Sequence, residues 1–341
     1  MVNIGILGLG FMGQTHIKAY RQIPGARIVA ICDALRLPAD GVLTGVTGNI
    51  AATDAIRFDM SVVQGYRDYH ELLANPDVQL VDICLPTPLH VETALAALRA
   101  GKHVLCEKPL ARTSALAREI VAAADQARGF FMPAHCLRFW PEWAWLKAAI
   151  AEARYGKLLT LHLTRLSEPP GWSRGTYLKG EESGGALLDM HIHDADFVQF
   201  CFGRPRAVCS TGQSRLSGAI DHVTTIYQVA GGASVVAEGS WLMGPGFGFK
   251  MAYRAVFENA TVDYDSTRGA EALKVFAEGA GAQVIRCEGP DGYVGELRHL
   301  IECIETGRPP SVVTAADGLS AVEICEAEER SVQTGQWVSL V

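Results

Sequence analysis

The side chain best placed to do chemistry is Lys108, which follows a short apolar run and precedes a proline. The run from Val104 to Cys106 has the length and apolarity of a strand that is buried on both faces of a parallel sheet. Ligands bind at the carboxyl ends of such strands, and an ammonium group there could polarise a substrate oxygen or take part in proton transfer. A surface ion pair with Glu107 is the competing interpretation.

A second set of reactive side chains falls within residues 183–196. If this stretch is helical, Asp189 and His193 lie one turn apart on one face, with Asp196 near it. A carboxylate beside an imidazole fixes its tautomer and raises its basicity, as a general base near neutral pH requires. A helix merely rich in polar residues, or histidines buried in a core, would give the same pattern. A metal site that includes His191 is a third interpretation, but a His-x-His pair diverges on a helix, so we predict no metal.

A glycine-rich turn lies between the first apolar run and the first helical pattern. Gly8, Gly10 and Gly13 form the pattern G-x-G-x-x-G, with Phe11 and Met12 inside it. In this context the glycines allow a tight turn, the approach of a pyrophosphate and close packing of the helix on the strand. The helix N-terminus then supplies N–H groups to the phosphates. We therefore predict that residues 8–13 bind a dinucleotide.

An acidic residue follows the glycines at the distance that a dinucleotide site requires. Asp33 ends the second apolar strand, about 20 residues further on, where a carboxylate can accept the ribose hydroxyls of the adenosine. Because such a carboxylate repels a 2′-phosphate, we predict NAD as the cofactor. Arg36 could pair with that phosphate, which leaves NADP as an alternative. A helix cap or turn residue is the other interpretation of Asp33.

The elements around these residues indicate two domains. In the first third, apolar strands alternate with helical patterns, which predicts a doubly wound parallel sheet of the Rossmann type. One connection, residues 34–65, is unusually long and weakly periodic, and its role stays open. From Lys157 onward, one-sided strands predict a mostly antiparallel sheet with one open face. We predict an α/β plus α+β protein, with an NAD(P)-binding domain over 1–133 and a substrate-binding and oligomerisation domain over 134–341.

Composition narrows the function classes. The 341 residues carry a formal net charge of −7, which gives no electrostatic basis for binding nucleic acid or an anionic membrane. No apolar run reaches the roughly 18 residues of a membrane helix, and we expect no signal peptide. The nine cysteines form no Cys-x-x-Cys pair, as is typical of thiols in a reducing cytoplasm. We expect a cytoplasmic homodimer or homotetramer, because the open sheet face needs cover.

With these residues in place, the chain resembles the Gfo/Idh/MocA family of sugar and inositol dehydrogenases over nearly its whole length. The stretches that carry the resemblance are 8–13, 82–87, 101–109, Gly184 and Gly185 leading to Asp189 and His193, 293–297, 307–309 and 317–335. The Glu-Lys-Pro sequence at 107–109 is the most specific of them when the downstream Asp-His spacing accompanies it. The resemblance implies a Rossmann domain followed by an open-faced α+β domain.

The resemblance also implies roles for individual residues. Lys108 matches the family's catalytic lysine, and Asp189 with His193 matches its catalytic pair. The residues that it places at the cofactor are Leu85, Pro86, Thr87, His90, Glu107 and Lys108. The residues expected at the substrate are Lys108, His135, Arg138, His162, Trp172, His191 and His193. Of these, His191 replaces a glycine that many members have, which either adds a substrate contact or marks a subgroup.

Residues and resemblance together predict an NAD(P)-dependent dehydrogenase that oxidises a hydroxyl of a sugar, inositol or related polyol. His193, oriented by Asp189, takes the hydroxyl proton, while Lys108 hydrogen-bonds the same oxygen and stabilises its developing charge. Two alternatives stay open. One is an NAD-dependent lyase or glycosidase that oxidises a sugar carbon transiently, and the other is a non-catalytic NAD-sensing regulator.

Overall fold

The computed structural model of the chain describes residues 1–46, 48, 54–171, 175 and 177–341. The chain forms two compact units, Met1–Phe139 with Pro290–Leu319 and Trp140–Gly289 with Ser320–Val341. The division therefore differs from the expected contiguous one at 133/134, since a late segment returns to the first unit. The return has a packing reason, because a helix within Pro290–Leu319 lies against the first helix and the first strand.

The first unit is built on a parallel sheet of six strands, and a two-stranded antiparallel pair lies apart from it. Its strands are β1 (Val2–Leu7), β2 (Ala26–Cys32), β3 (Val42–Leu43), β4 (Ile56–Arg57), β5 (Gln64–Tyr66), β6 (Leu80–Ile83), β7 (His103–Glu107) and β8 (Phe131–Ala134). The six-stranded order is β5-β2-β1-β6-β7-β8, so the chain winds outward in both directions from β1. The predicted doubly wound sheet is confirmed, and its switch point, where ligands bind in such folds, lies between β1 and β6.

The helices alternate with the strands in the first unit and frame the sheet of the second. They are α1 (Phe11–Tyr20), α2 (Tyr69–Ala74), α3 (His90–Arg99), α4 (Ser114–Gln126), α5 (Pro141–Ala151), α6 (Gly180–Ser183), α7 (Ile192–Phe202), α8 (Gly292–Thr306) and α9 (Ala315–Thr334). In the described ranges, none of these helices is long and apolar enough to cross a bilayer.

Each face of the first sheet packs on its own layer of helices. One cluster joins strand residues such as Ile4 and Ile6 to Ile17 of α1 and Leu297 of α8. A second cluster joins the other face of the strands to α2, α3 and α4, with Ile120 fully buried. Burial on both faces is the reason that these strands are continuous apolar runs in the sequence.

The second unit holds a mixed sheet of nine strands. They are β9 (Leu158–Ser167), β10 (Ala207–Gln213), β11 (His222–Gln228), β12 (Ser234–Ser240), β13 (Phe249–Phe257), β14 (Ala260–Asp265), β15 (Leu273–Ala277), β16 (Gly281–Ile285) and β17 (Val338–Ser339). Their order is β16-β15-β14-β13-β9-β12-β11-β10-β17, and only the β9–β12 pair is parallel. The predicted mostly antiparallel sheet is confirmed. Trp143 of α5 is fully buried, edge-on to Phe197 of α7 and Tyr253 of β13.

Candidate active site

The three glycines of the turn after β1 differ in the space around their Cα atoms. Gly8 has a φ of 93°, and a Cβ there would lie 2.4 Å from the carbonyl oxygen of Cys84. A Cβ on Gly13 would lie 1.9 Å from the Gly8 carbonyl oxygen, whereas a Cβ on Gly10 would meet no atom within 4 Å. At positions 8 and 13 the backbone therefore packs too closely for any side chain other than that of glycine. Gly10 leaves open the space through which a pyrophosphate would approach.

Helix α1 presents its N-terminus at this open space. Gly10 is the N-cap and has no side chain to accept hydrogen bonds from the N–H groups of the first turn. Those groups and the helix dipole form an anion site. The side chains of Phe11 and Met12 are half-buried beside it. The residues present thus fit the phosphates of a dinucleotide.

The long connection between β2 and β5 reaches the beginning of α1. The Thr44 carbonyl oxygen accepts a hydrogen bond of 3.0 Å from Gln14 Nε2. Gly48 lies so close to Phe11 that a Cβ at position 48 would be 2.2 Å from its ring. Thr44 and Gly48 therefore lie beside the first turn of α1, a placement that the weak periodicity of the connection did not reveal.

Asp33 is both a turn residue and a candidate ribose acceptor. Its Oδ2 accepts from the Leu9 N–H at 2.8 Å, and its Oδ1 accepts from the N–H groups of Leu35 and Arg36, each at 2.8 Å. These bonds tie the end of β2 to the glycine turn. Since a carboxylate oxygen accepts two hydrogen bonds, Oδ2 keeps capacity for a ribose hydroxyl. The structural and the functional interpretation of Asp33 are compatible.

Lys108 lies at the carboxyl end of β7, on the same sheet edge as the turns after β1 and β6. Its side chain is half-buried, its N–H donates to Glu107 Oε2 at 3.0 Å, and its peptide bond to Pro109 is cis. The loop after β6 presents Pro86 exposed and Thr87 half-buried, at the start of a 3₁₀ turn. The structure therefore brings Lys108 and the predicted cofactor loops to one edge.

His90 connects two of these loops through contacts with their backbone. Its Nδ1 lies 2.8 Å from the Pro109 carbonyl oxygen and its Nε2 lies 2.8 Å from that of Leu85. The side chain is 1% exposed, and this burial lowers the pKa of His90. Its role in the site is to hold the loops after β6 and β7 together, with the half-buried Leu85 at the β6 end.

Glu107 is likewise buried and lies beside an internal partner. It is 5% exposed, and its Oε1 lies 3.2 Å from Nε2 of the buried His16. Sequence reasoning missed His16 and its partner Asp82. The signals were present, because a histidine on the apolar face of α1 and an aspartate inside an apolar strand both need a buried partner.

In the second unit, Asp189 and His193 occupy a local break in helix geometry. Leu187–His191 forms a π-helical turn that leads directly into α7. Asp189 and His193 are half-buried, while Met190, His191 and Ile192 between them are buried. The two predicted catalytic side chains therefore share the more accessible side of this segment. A π turn at such a place is frequent in functional sites.

His191 is a buried residue with internal partners. It is fully buried, with Nε2 3.0 Å from the Tyr227 hydroxyl and 3.4 Å from Glu328 Oε1. Burial alone would lower the pKa of His191, but the Glu328 carboxylate raises it above its usual value. Asp196 is also buried, and its Oδ1 accepts from Gln199 Nε2 at 2.9 Å.

The remaining expected substrate contacts lie elsewhere. Arg138 is 5% exposed, its Nη1 donates to the Val312 carbonyl oxygen at 2.8 Å, and its Nη2 lies 3.3 Å from Asp317 Oδ1. Its guanidinium thus contacts the chain at 312–317 within the first unit. His135 is 1% exposed at the turn after β8, which leaves it little access to a ligand.

The two other expected contacts have different outcomes. His162 is exposed on β9, in one row with Val236 and Arg254. That row is on the face opposite Arg165, which binds Asp194 of α7, so His162 and α7 lie on different faces of the sheet. His162 is therefore not brought together with the Asp189 segment. Trp172 lies outside the described residues.

A dinucleotide turn with an ordered acidic partner and a lysine at the same sheet edge define the class as an NAD-binding oxidoreductase. Comparison with known families agrees. Residues 2–135 match the model described as "Oxidoreductase family, NAD-binding Rossmann fold". Residues 143–263 match the GFO/IDH/MocA C-terminal domain. The chain belongs to the GFO/IDH/MocA family, which confirms the predicted family, the oxidoreductase class and NAD as cofactor.

Two relatives that match this chain are named as dehydrogenases. An inositol 2-dehydrogenase of Streptomyces avermitilis is 28% identical over 98% of this chain and 93% of its own length. A levoglucosan dehydrogenase of Pseudarthrobacter phenanthrenivorans is 33% identical over 61% of this chain, which spans only 53% of that relative. The solved structure of a levoglucosan dehydrogenase with NADH and L-sorbose has a TM-score of 0.83 at 23% identity, covering 100% of this chain and 99% of that one. At this identity the structural likeness shows the fold alone.

Proposed function

We propose that this protein oxidises a hydroxyl group of a sugar, an inositol or a related polyol. The observation that carries the proposal is the position of Lys108, an ammonium group at the sheet edge where the glycine turn receives NAD. The relatives named as inositol and levoglucosan dehydrogenases supply the substrate class. NADP is the alternative cofactor, because Arg36 could pair with a 2′-phosphate and so offset its repulsion by the Asp33 carboxylate.

Oxidation of the carbinol removes a proton from its oxygen and a hydride from its carbon, and different groups take part in each transfer. Bound NAD⁺ supplies the hydride acceptor, so the protein provides alignment and charge. A ring nitrogen of His193 takes the hydroxyl proton, and Asp189 holds that imidazole in the accepting tautomer. Lys108 Nζ donates a hydrogen bond to the same oxygen, which stabilises the negative charge that develops as the proton leaves.

The test is a substrate screen followed by one substitution. Myo-inositol, levoglucosan, L-sorbose and a set of aldoses are each offered with NAD⁺ and with NADP⁺, and the absorbance of reduced cofactor is followed. We expect net reduction of NAD⁺ by at least one polyol. Lys108→Met should then lower kcat by roughly 100-fold or more, since one charge-stabilising donor is lost, while the Kd of NAD⁺ stays near wild type.

A matched lysine provides the control. Lys18 is half-exposed on α1, and Lys18→Met should keep both kcat and the Kd of NAD⁺. If Lys108→Met turns over as fast as Lys18→Met, the proposed role of Lys108 is wrong. If sugars are converted without net production of NADH, the protein is instead a lyase or glycosidase that returns its cofactor.

We also propose that the protein assembles into a homodimer or homotetramer through the outer face of the nine-stranded sheet. Ile226 and Phe276 are exposed on this sheet, at 45% and 43%, and exposed apolar sheet surface favours association. Size-exclusion chromatography with light scattering gives the mass directly. Replacement of Ile226 by Lys should shift that mass to the monomer.

A further inference from the structure

Four ionisable side chains meet in the interior of the first unit, directly behind the strand end that carries Lys108. They are His16 on α1, Asp82 on β6, Glu107 on β7 and Glu296 on α8. His16, Asp82 and Glu296 are fully buried, and Glu107 is 5% exposed. A buried charge costs free energy unless it is paired. The proposed reaction gives these four side chains no role, so their burial together needs another reason.

His16 bridges two of the carboxylates. Its Nδ1 lies 2.8 Å from Asp82 Oδ2, and its Nε2 lies 3.2 Å from Glu107 Oε1. A neutral imidazole has one N–H and can donate on one side only, whereas an imidazolium donates from both nitrogens. Nδ1 is hydrogen-bonded to Asp82, whereas Nε2 lies at ion-pair distance from Glu107 and forms no hydrogen bond within the described part of the chain. Two carboxylates this close to one buried imidazole favour its charged form. Glu296 Oε1 is further away, at 3.8 Å from Nε2.

The other groups that face His16 leave this charge assignment intact. Cys84 Sγ lies 3.4 Å from Nδ1, and the Tyr293 ring centroid lies 6.4 Å from the imidazole. Burial would lower the pKa of His16, but Asp82 and Cys84 raise it well above its usual value. Burial would raise the pKa of Glu107, but His16 lowers it. Burial raises the pKa of Glu296 well above its usual value.

The bridge ends at the backbone of Lys108. While Oε1 of Glu107 faces His16, its Oε2 accepts the Lys108 N–H at 3.0 Å. On the far side of the same residue, the Pro109 carbonyl oxygen lies 2.8 Å from His90 Nδ1. The backbone around Lys108 is therefore fixed on both sides by a buried histidine. His16 acts on it through Glu107, and His90 contacts the carbonyl oxygen of Pro109.

We propose that His16 is a positioning residue for Lys108: its imidazolium, hydrogen-bonded to Asp82 and ion-paired with Glu107, holds the Glu107 carboxylate against the Lys108 N–H and so orients the lysine. The inference rests on the proposed function for its catalytic consequence, but its structural content stands apart from it. The hydrogen bond from the Lys108 N–H to the Glu107 carboxylate is of the strong, charge-assisted kind. Loss of the bridging cation would weaken it and let the strand end relax.

The first measurement does not depend on turnover. In the apoprotein labelled with ¹⁵N, the ring nitrogens of His16 should report an imidazolium at about pH 8, where an ordinary histidine is neutral. In His16→Gln and in Glu107→Gln, exchange of the Lys108 amide hydrogen should speed up by at least about tenfold, as loss of a charge-assisted hydrogen bond implies. His299→Gln, a half-buried histidine on α8 outside the cluster, should leave that rate unchanged.

The second measurement separates positioning from general structural damage. With the best substrate of the polyol screen, His16→Gln and Glu107→Gln should lower kcat by roughly 10–100-fold, because a misaimed group loses alignment. The KM for NAD⁺ should stay within about threefold of wild type, since the glycine turn is untouched. If His16→Gln fails to fold, Glu107→Gln carries the test, because it keeps the size of the side chain.

Several results would overturn the proposal. They are a neutral His16 at pH 8, a Lys108 amide that exchanges as in His299→Gln, a kcat that matches this control, or a stoichiometric metal ion bound by His16, Asp82 and Cys84, whose ligand atoms lie within 4.8 Å of one another. Failure of the proposed function looks different. In that case the wild type converts no polyol, or Lys108→Met converts polyols as fast as the wild type. The imidazolium signal of His16 and the protection of the Lys108 amide persist in both situations.

Discussion

The ion pair between Arg165 and Asp194 allows a quantitative test of how the second unit is held together. Arg165 Nε lies 2.8 Å from Asp194 Oδ2, and Nη2 lies 3.1 Å from Oδ1, so the guanidinium binds the carboxylate through two hydrogen bonds. Arg165 is 4% exposed and Asp194 is fully buried. The pair joins β9 to α7 directly beside His193.

Asp194→Asn keeps the size of the side chain but leaves the guanidinium buried without a counter-charge. Breaking such a pair costs about 3–5 kcal/mol of unfolding free energy. With a urea m-value of about 3 kcal/mol/M for a chain of this size, the midpoint of urea unfolding should fall by roughly 1–1.7 M. Tryptophan fluorescence follows the transition, because Arg165 Cζ lies 5.6 Å from the buried Trp143 ring.

Two controls determine whether the loss comes from the buried charge. Glu152→Gln removes a pair of similar length, 2.8 Å to Arg154, whose side chains are 35% and 59% exposed, so it should cost no more than about 1 kcal/mol. The double variant Arg165→Met with Asp194→Leu removes both charges and should recover most of the loss. A midpoint for Asp194→Asn that is no lower than that of Glu152→Gln would refute the reasoning.

Two further predictions follow from the same structure. Gly10→Ala should keep the wild-type urea midpoint, because a Cβ there meets no atom within 4 Å, yet calorimetric titration should show NAD⁺ binding weakened by about tenfold or more; Gly13→Ala, with its Cβ 1.9 Å from a carbonyl oxygen, should instead destabilise the fold. For Asp265, burial would raise the pKa, but Lys250 and Thr267 lower it to about 2. Because that value lies below the unfolded one of about 3.9, the carboxylate stabilises the fold above about pH 4 and this contribution is lost as pH falls towards 2. Urea midpoints of Asp265→Asn and wild type should therefore differ at pH 6 and converge near pH 2; an equal difference at both pH values would contradict this assignment.

The sequence by itself determined the features that depend on neighbours along the chain. The glycine turn, the apolar strands of the doubly wound sheet and the lysine after β7 could all be predicted, because strand burial and turn geometry leave local patterns. The spacing of Asp189 and His193 indicated a shared side of one helical segment. The sequence could not show that this segment is π-helical at Leu187–His191, since an i→i+5 turn has no residue pattern of its own.

Only the tertiary structure decided which polar residues face outward and which are internal partners. His191, Arg138 and Glu107 are residue types that often bind ligands, yet each is buried against a group far away in the chain, such as Glu328 for His191. The return of α8 to the first unit, which brings Glu296 near His16, is likewise invisible in a linear reading. Residue type and spacing report local conformation, whereas the partner of a buried charge is set by long-range packing. For this reason a catalytic role for Lys108 could be proposed from the sequence, whereas the buried partners of His16 could not be.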